Sequence, residues 1–126
     1  MKQGVILLLV DIQKSMVHFS DRIFDRDRPP YSTIDETASE VISCAESRSF
    51  LARAGIQGEI IRTPSHSEDS ISIVLDSGDC FVGDLEPQEH LAGYEDNPAL
   101  RSDWDSILSF NPRRIFYAHA PEKMLI

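Results

Sequence analysis

Four nearly continuous apolar runs constrain this chain more than any other feature: VILLLV at 5–10, ISIVL at 71–75, CFV at 80–82 and RIFYA at 114–118. Each has the length of a strand, and a strand apolar on both sides is one covered on both faces. Segments with helical spacing fall between the first and second runs and between the third and fourth, which predicts an α/β layer in which helices lie on a sheet. A chain of 126 residues with 41% hydrophobic content buries about two thirds of its unfolded surface, enough for one domain over 1–126 and too little for two.

Read along the chain, VILLLV is a strand, and Asp11 after it caps a helix that places Ile12, Met16, Phe19 and Ile23 on one face. Residues 20–40, with Pro29-Pro30, read as a polar irregular excursion of the kind that shapes a site mouth. Val41-Ile42 is a short strand. Ser43 with Glu46 forms a capping box for a helix bearing Phe50, Leu51 and Ala54, stopped by Gly55. Strands follow at Glu59 to Arg62 and Ser70 to Leu75, then a turn at Asp76 to Gly78 and a return strand at Cys80 to Val82. Asn97-Pro98 opens a helix whose stripe is Leu100, Trp104, Ile107 and Leu108, with Trp104 a core anchor. Arg114 to Ala118 is the last strand, and Pro121 begins a tail.

The net charge of −9 argues against nucleic acid and against an anionic membrane surface, since either demands a basic stripe. The basic residues of DRIFDRDRPP alternate with aspartates and read as a solvated loop. Val5 to Val10 is too short to cross a bilayer and lacks a secretory cleavage pattern, which places the protein in the cytoplasm. Cys44 and Cys80 fit a reducing compartment and sit in apolar contexts expected of buried strand residues. They lack the C-x-x-C spacing of a metal site.

Chemistry concentrates in TPSHSEDSISIVLDSGDCFVGDL, residues 63–85, and in FYAHA around His119. His66, Asp84 and His119 each stand where a strand runs out into a loop, so residues 18 and 35 positions apart can converge at one sheet edge. Imidazole, carboxylate and imidazole suit a borderline-soft divalent metal such as zinc. Taken singly, each has a plainer reading. His66 would be a surface turn residue with Asp69 or Ser70 bonding backbone amides, Asp84 a strand-ending turn residue, and His119 a hydrogen-bonded histidine. His18 and His90 fall outside the motifs and are expected to be exposed; Glu86 is a loop carboxylate close to the site.

In their order and spacing these segments resemble the second half of the metallo-β-lactamase superfamily, with its TPGHS-x-DS turn, GDL aspartate and late strand ending in histidine. By that resemblance His66 binds one metal, Asp84 bridges two and His119 binds the second. Zinc is the foremost ion, with iron or manganese as alternatives. The fold implied is one half of the αββα sandwich, a mixed sheet with helices on one face. Ser65 stands where the family has glycine, which bears on the turn backbone because glycine reaches positive φ without steric cost. H-x-H-x-D-H, the source of the other ligands and of the proton-transfer aspartate, occurs nowhere in the chain. The resemblance thus implies a hydrolase-derived domain without its first half, with no catalytic residue assigned and with metal binding and turnover weak or absent in isolation. The alternative is a non-catalytic scaffold or oligomerisation module with a vestigial site. The expected partner is a second copy joined through an exposed sheet face, or else the missing first half.

Overall fold

The computed structural model describes residues 8–10, 40–92 and 97–125. The chain divides into two compact units, residues 1–43 and 44–126. The helix expected after Asp11, the excursion with Pro29-Pro30, and His18 lie outside the described residues.

In the first unit β1 (Leu8–Val10) and β2 (Glu40–Ile42) pair in parallel, Leu8 opposite Glu40 and Val10 opposite Ile42. Parallel neighbours need a connection of a dozen or more residues, and residues 11–39 are long enough to provide one.

The second unit opens with a 3-10 turn, Cys44–Glu46, that leads into α1 (Ser47–Arg53). The α-helix therefore starts later than a capping box at Ser43 predicts. Its N-cap is Glu46, whose side chain makes no capping hydrogen bond. Ser47 Oγ ties the helix start down instead, donating to the Cys44 carbonyl at 2.6 Å and accepting from the Ile60 amide at 2.9 Å. Gly55, at φ +83°, ends this segment as expected. Cys44 is only half-buried and lies in the turn, not in a strand. Arg48 clamps Asp76 with two hydrogen bonds of 3.0 Å and reaches Glu59 at 3.1 Å, and this pairing holds the Asp76 carboxyl below its ordinary range.

Five strands form one sheet in the order β3 (Gly58–Arg62), β4 (Ile71–Leu75), β5 (Asp79–Gly83), β6 (Arg114–Tyr117) and β7 (Lys123–Met124). The β5–β6 pair is parallel and every other pair antiparallel. In direction, then, β3, β5 and β6 agree, while β4 and β7 oppose them. The connection from β5 to β6 carries a 3-10 turn at Gln88–Ala92 and then α2 (Pro98–Leu108). Asn97 caps α2, its side chain accepting from the Leu100 amide at 3.1 Å, with Pro98 in the first turn. The fold is thus α/β, as the pattern of runs predicts, and its five-stranded sheet is mixed, as the family resemblance implies. The short β7 lies in the segment that reads from sequence as a tail.

Register sorts the side chains between two faces. Val74, Cys80 and Ile115 are cross-strand partners on one side, and they join Val82, Leu85, Leu100, Trp104 and Ile107 in the core cluster. On the other side Ile60 pairs with Ile73, Ile73 with Phe81, and Phe81 with Phe116. Cover falls off along this row, because Ile60 is buried, Ile73 half-buried, and Phe81 42% exposed. Phe81 stacks on Phe116 with ring centroids 4.8 Å apart, and the Arg114 guanidinium lies 5.5 Å from the Phe116 centroid.

Ile107 is fully buried at the centre of the α2 face. Ile107→Ala removes transfer energy and leaves a cavity, a loss of about 2–5 kcal/mol, read as a shift in the denaturant midpoint without change of slope.

Candidate functional site

The shared direction of β3, β5 and β6 decides where the site forms. Their C-terminal ends emerge at one edge of the sheet, and each is followed by one of the three residues singled out from sequence. His66 follows β3, Asp84 immediately follows β5, and His119 lies two residues beyond β6. The β5 and β6 ends are tied by the Ala118 amide, which donates to the Gly83 carbonyl at 2.9 Å. The pairing register shifts between Phe81 and Gly83, and Gly83 takes φ +60°, so the chain turns away from the sheet just as it reaches Asp84. A β-carbon is strained at that φ, which is why a glycine precedes the aspartate.

Asp84 stands between the two imidazoles and presents a different oxygen to each. His119 Nε2 is 3.0 Å from Oδ1, and His66 Nε2 is 4.0 Å from Oδ2. About half of the His66 and Asp84 side-chain surface is open to solvent, and 85% of that of His119. The three line one cavity of about 630 Å³, with Leu85, Leu100 and Tyr117 among its apolar walls.

The turn that carries His66 is built by its own hydroxyls. Thr63, buried at the strand end, bonds the Ser70 carbonyl through its amide at 3.1 Å, and its hydroxyl pairs with that of Ser72 at 2.9 Å. Ser67 Oγ donates to Asp69 at 2.6 Å and meets Ser70 Oγ at 2.7 Å. Asp69 and Ser70 thus pair with another side chain, not with the backbone amides expected of a plain turn. Ser65 does not take positive φ, so the turn tolerates a residue with a side chain where glycine is usual in the resembled family. The Ser65 amide donates to Asp103 Oδ2 at 2.8 Å.

Several contributors to this edge escape a reading by motif. Asp103 is buried on α2, inside a stripe expected to be apolar. Trp104 is the core anchor expected, but its indole N–H also donates to the Glu86 carbonyl at 2.9 Å and pins the loop after Asp84. His90 is exposed as expected, yet it lines the same cavity, and its Nδ1 lies 3.2 Å from Glu86 Oε1. Only the i, i+4 spacing of Glu86 and His90 hinted at that pair. Lys123 of β7 pairs with Glu89 and tethers the 3-10 turn.

In donor chemistry the edge fits a bridging carboxylate with one imidazole on either side. In donor number it falls short, because a catalytic zinc keeps three protein ligands. Among the described residues no three His, Cys, Asp or Glu side chains are grouped to hold one ion. Cys80 supplies no thiolate, since burial pushes its thiol up to about 12.

No protein-family model matches the chain, and no solved structure matches it. Among curated proteins it is similar to the Beta-lactamase-like protein 2 homolog of Drosophila melanogaster, 31% identical over 65 residues, which is 52% of this chain and 22% of that protein. The chain therefore spans about a fifth of the relative's length. The likeness supports a relationship to beta-lactamase-like proteins at the level of the domain. No helix among the described residues is long and apolar enough to cross a membrane.

Among the described residues the Tyr117 hydroxyl is closed off without a hydrogen-bond partner. Burial first, and then the charge of Glu89, push the phenol up to about 12, while the Gln88 backbone pulls the other way without reaching hydrogen-bond geometry. A phenol raised on folding contributes stability that is whole below its ordinary value near 10 and is lost as pH rises toward 12. Tyr117→Phe removes that contribution, so between pH 10 and 12 the variant loses stability less steeply than the wild type in denaturant titrations.

Proposed function

We propose that this chain is a metal-binding domain of metallo-β-lactamase type, derived from a hydrolase, whose ligand set is incomplete among its own described residues. The observation that carries the proposal is the Asp84 carboxylate, with one oxygen toward His119 and the other toward His66. By the family resemblance Asp84 would be shared between two divalent ions, zinc foremost, with His66 a ligand of one and His119 of the other. An ion held there would supply Lewis-acid activation of water, lowering its pKa toward ~7, for hydrolysis of an ester, thioester, amide or phosphoester. The chain's own part is to hold the carboxylate between the imidazoles and to wall the cavity with Leu85, Leu100 and Tyr117.

Two donors per ion is one fewer than a catalytic zinc keeps, so weak metal affinity and negligible turnover are expected from the chain alone. Zinc analysis after dialysis, with generic ester and phosphodiester substrates, tests this. Zinc retained at one or two equivalents, with turnover abolished by Asp84→Ala, would show that the site is complete without outside ligands. Failure to bind zinc even at millimolar concentration would leave the non-catalytic scaffold as the reading. The cytoplasm is the compartment proposed, on the two free thiols.

The partner proposed is a second copy, joined through the sheet face that carries the Phe81–Phe116 stack. Supporting it are the 42% exposure of Phe81 and the row of apolar cross-strand partners leading to it. Stacking two such faces with their strands nearly aligned buries both rows. Sedimentation at micromolar concentration is expected to give a dimer, and Phe81→Glu a monomer. A monomeric wild type would refute the assembly.

A further inference from the structure

The turn from Pro64 to Asp69 is closed by bonds among its own residues and Ser70, and these shape the turn without placing it. Among the described residues, the hydrogen bond that ties this stretch to another element is the one from the Ser65 amide to Asp103 Oδ2, 2.8 Å long and spanning 38 residues. Asp103 is only 5% exposed. A buried carboxylate is costly unless it is hydrogen-bonded, and a bond from a backbone N–H to an ionised oxygen is of the stronger, charge-assisted kind. The next residue on α2, Trp104, holds the Glu86 carbonyl through its indole N–H. Two consecutive side chains of one helix thus grip the two loops that carry His66 and Asp84. Each grip falls close to the residue concerned, one position before His66 and two after Asp84.

We infer that Asp103 is a positioning residue of this site: acting through the Ser65 amide, it sets the His66 imidazole at its distance from Asp84. Asp103 touches no ligand. Its role is that of an outer partner to the donor set, and in metal sites the loss of such a partner costs roughly 10–100-fold in affinity. The metal part of this inference rests on the function proposed above, whereas the placement of the turn does not.

Amide hydrogen exchange on the full chain tests the placement directly. In the wild type the Ser65 amide is expected to exchange on the order of 100-fold more slowly than the exposed His66 and Ser67 amides, because only it is held by a buried group. Asp103→Ala should bring Ser65 close to their rate while the Val82 and Ile115 amides keep their protection. Asp103→Asn keeps an acceptor oxygen and should retain most of the Ser65 protection. Titration with zinc alone, using a competing chromophoric chelator, should then show affinity lowered roughly tenfold or more in Asp103→Ala and largely restored in Asp103→Asn.

Fast Ser65 exchange in the wild type would overturn the inference without any variant, so a misfolded Asp103→Ala does not shelter it. Loss of protection in Asp103→Asn equal to that in Asp103→Ala, or spread evenly over the core amides, would also overturn it. So would undiminished zinc affinity in Asp103→Ala. A wild type that binds no zinc while Ser65 responds as expected would sink the metal function and leave Asp103 as the group that places the turn.

Discussion

The packing of Trp104 under the sheet is the contact on which the rest of this unit depends. Its side chain is buried among Val74, Cys80, Val82 and Ile115, which come from three neighbouring strands. Burial of an aromatic of this size is among the larger single contributions a small core can hold. The indole N–H cannot be left unpaired there, and the Glu86 carbonyl takes it. One side chain therefore fixes the helix to the sheet and the loop after β5 to the helix. Leu85, buried beside it, keeps that loop from lifting off. The position of Asp84 follows from core packing before any site contact is considered.

Sheet topology does the remaining work. A parallel pair β5–β6 inside an otherwise antiparallel sheet needs a crossover, and α2 is that crossover. The same parallel step makes two successive strands release their C-terminal loops at one edge, the place where open α/β sheets characteristically gather their functional side chains. An all-antiparallel meander would have put His119 on the edge opposite Asp84. The α2 helix thus supplies the core, the topology and the tethers of the site at once.

Much of this was legible in the sequence, and what was hidden was hidden for physical reasons. The strands at 71–75, 80–82 and 114–118 announce themselves as apolar runs, and Asn97-Pro98 marks the start of α2 to the residue. His66, Asp84 and His119 could be grouped because each follows a strand. The two-residue β7 could not be seen, since Lys123 and Met124 carry no alternating pattern and pair only because β6 offers an edge. Asp103 was equally silent. A carboxylate at a position facing the core looks like a surface residue until the amide it accepts from, 38 residues away, is known. At Ser43 and Glu46 the expected box gave way to a 3-10 turn, with Ser47 bonding both Cys44 and Ile60. There a bond across to β3 outweighed local capping.

The contacts within the site are not what hold it in shape. The pairs of Asp84 with His66 and His119 are largely open to solvent, where screening leaves such pairs worth about 0–1 kcal/mol. That is too little to fix two loops against their conformational entropy, which costs roughly 1–2 kcal/mol for each residue ordered. Order comes instead from the bonds behind the edge: Ala118 to Gly83, Thr63 to Ser70 and, fully buried, to Ser72, and the Trp104 indole to Glu86. On the metal-binding function proposed, a site held from behind would exchange the weak histidine–carboxylate contacts in front for a cation without disturbing its frame. By the same reading, a backbone frame fixed in advance would leave less entropy to be lost when the side chains close on an ion than the same three residues on a mobile loop.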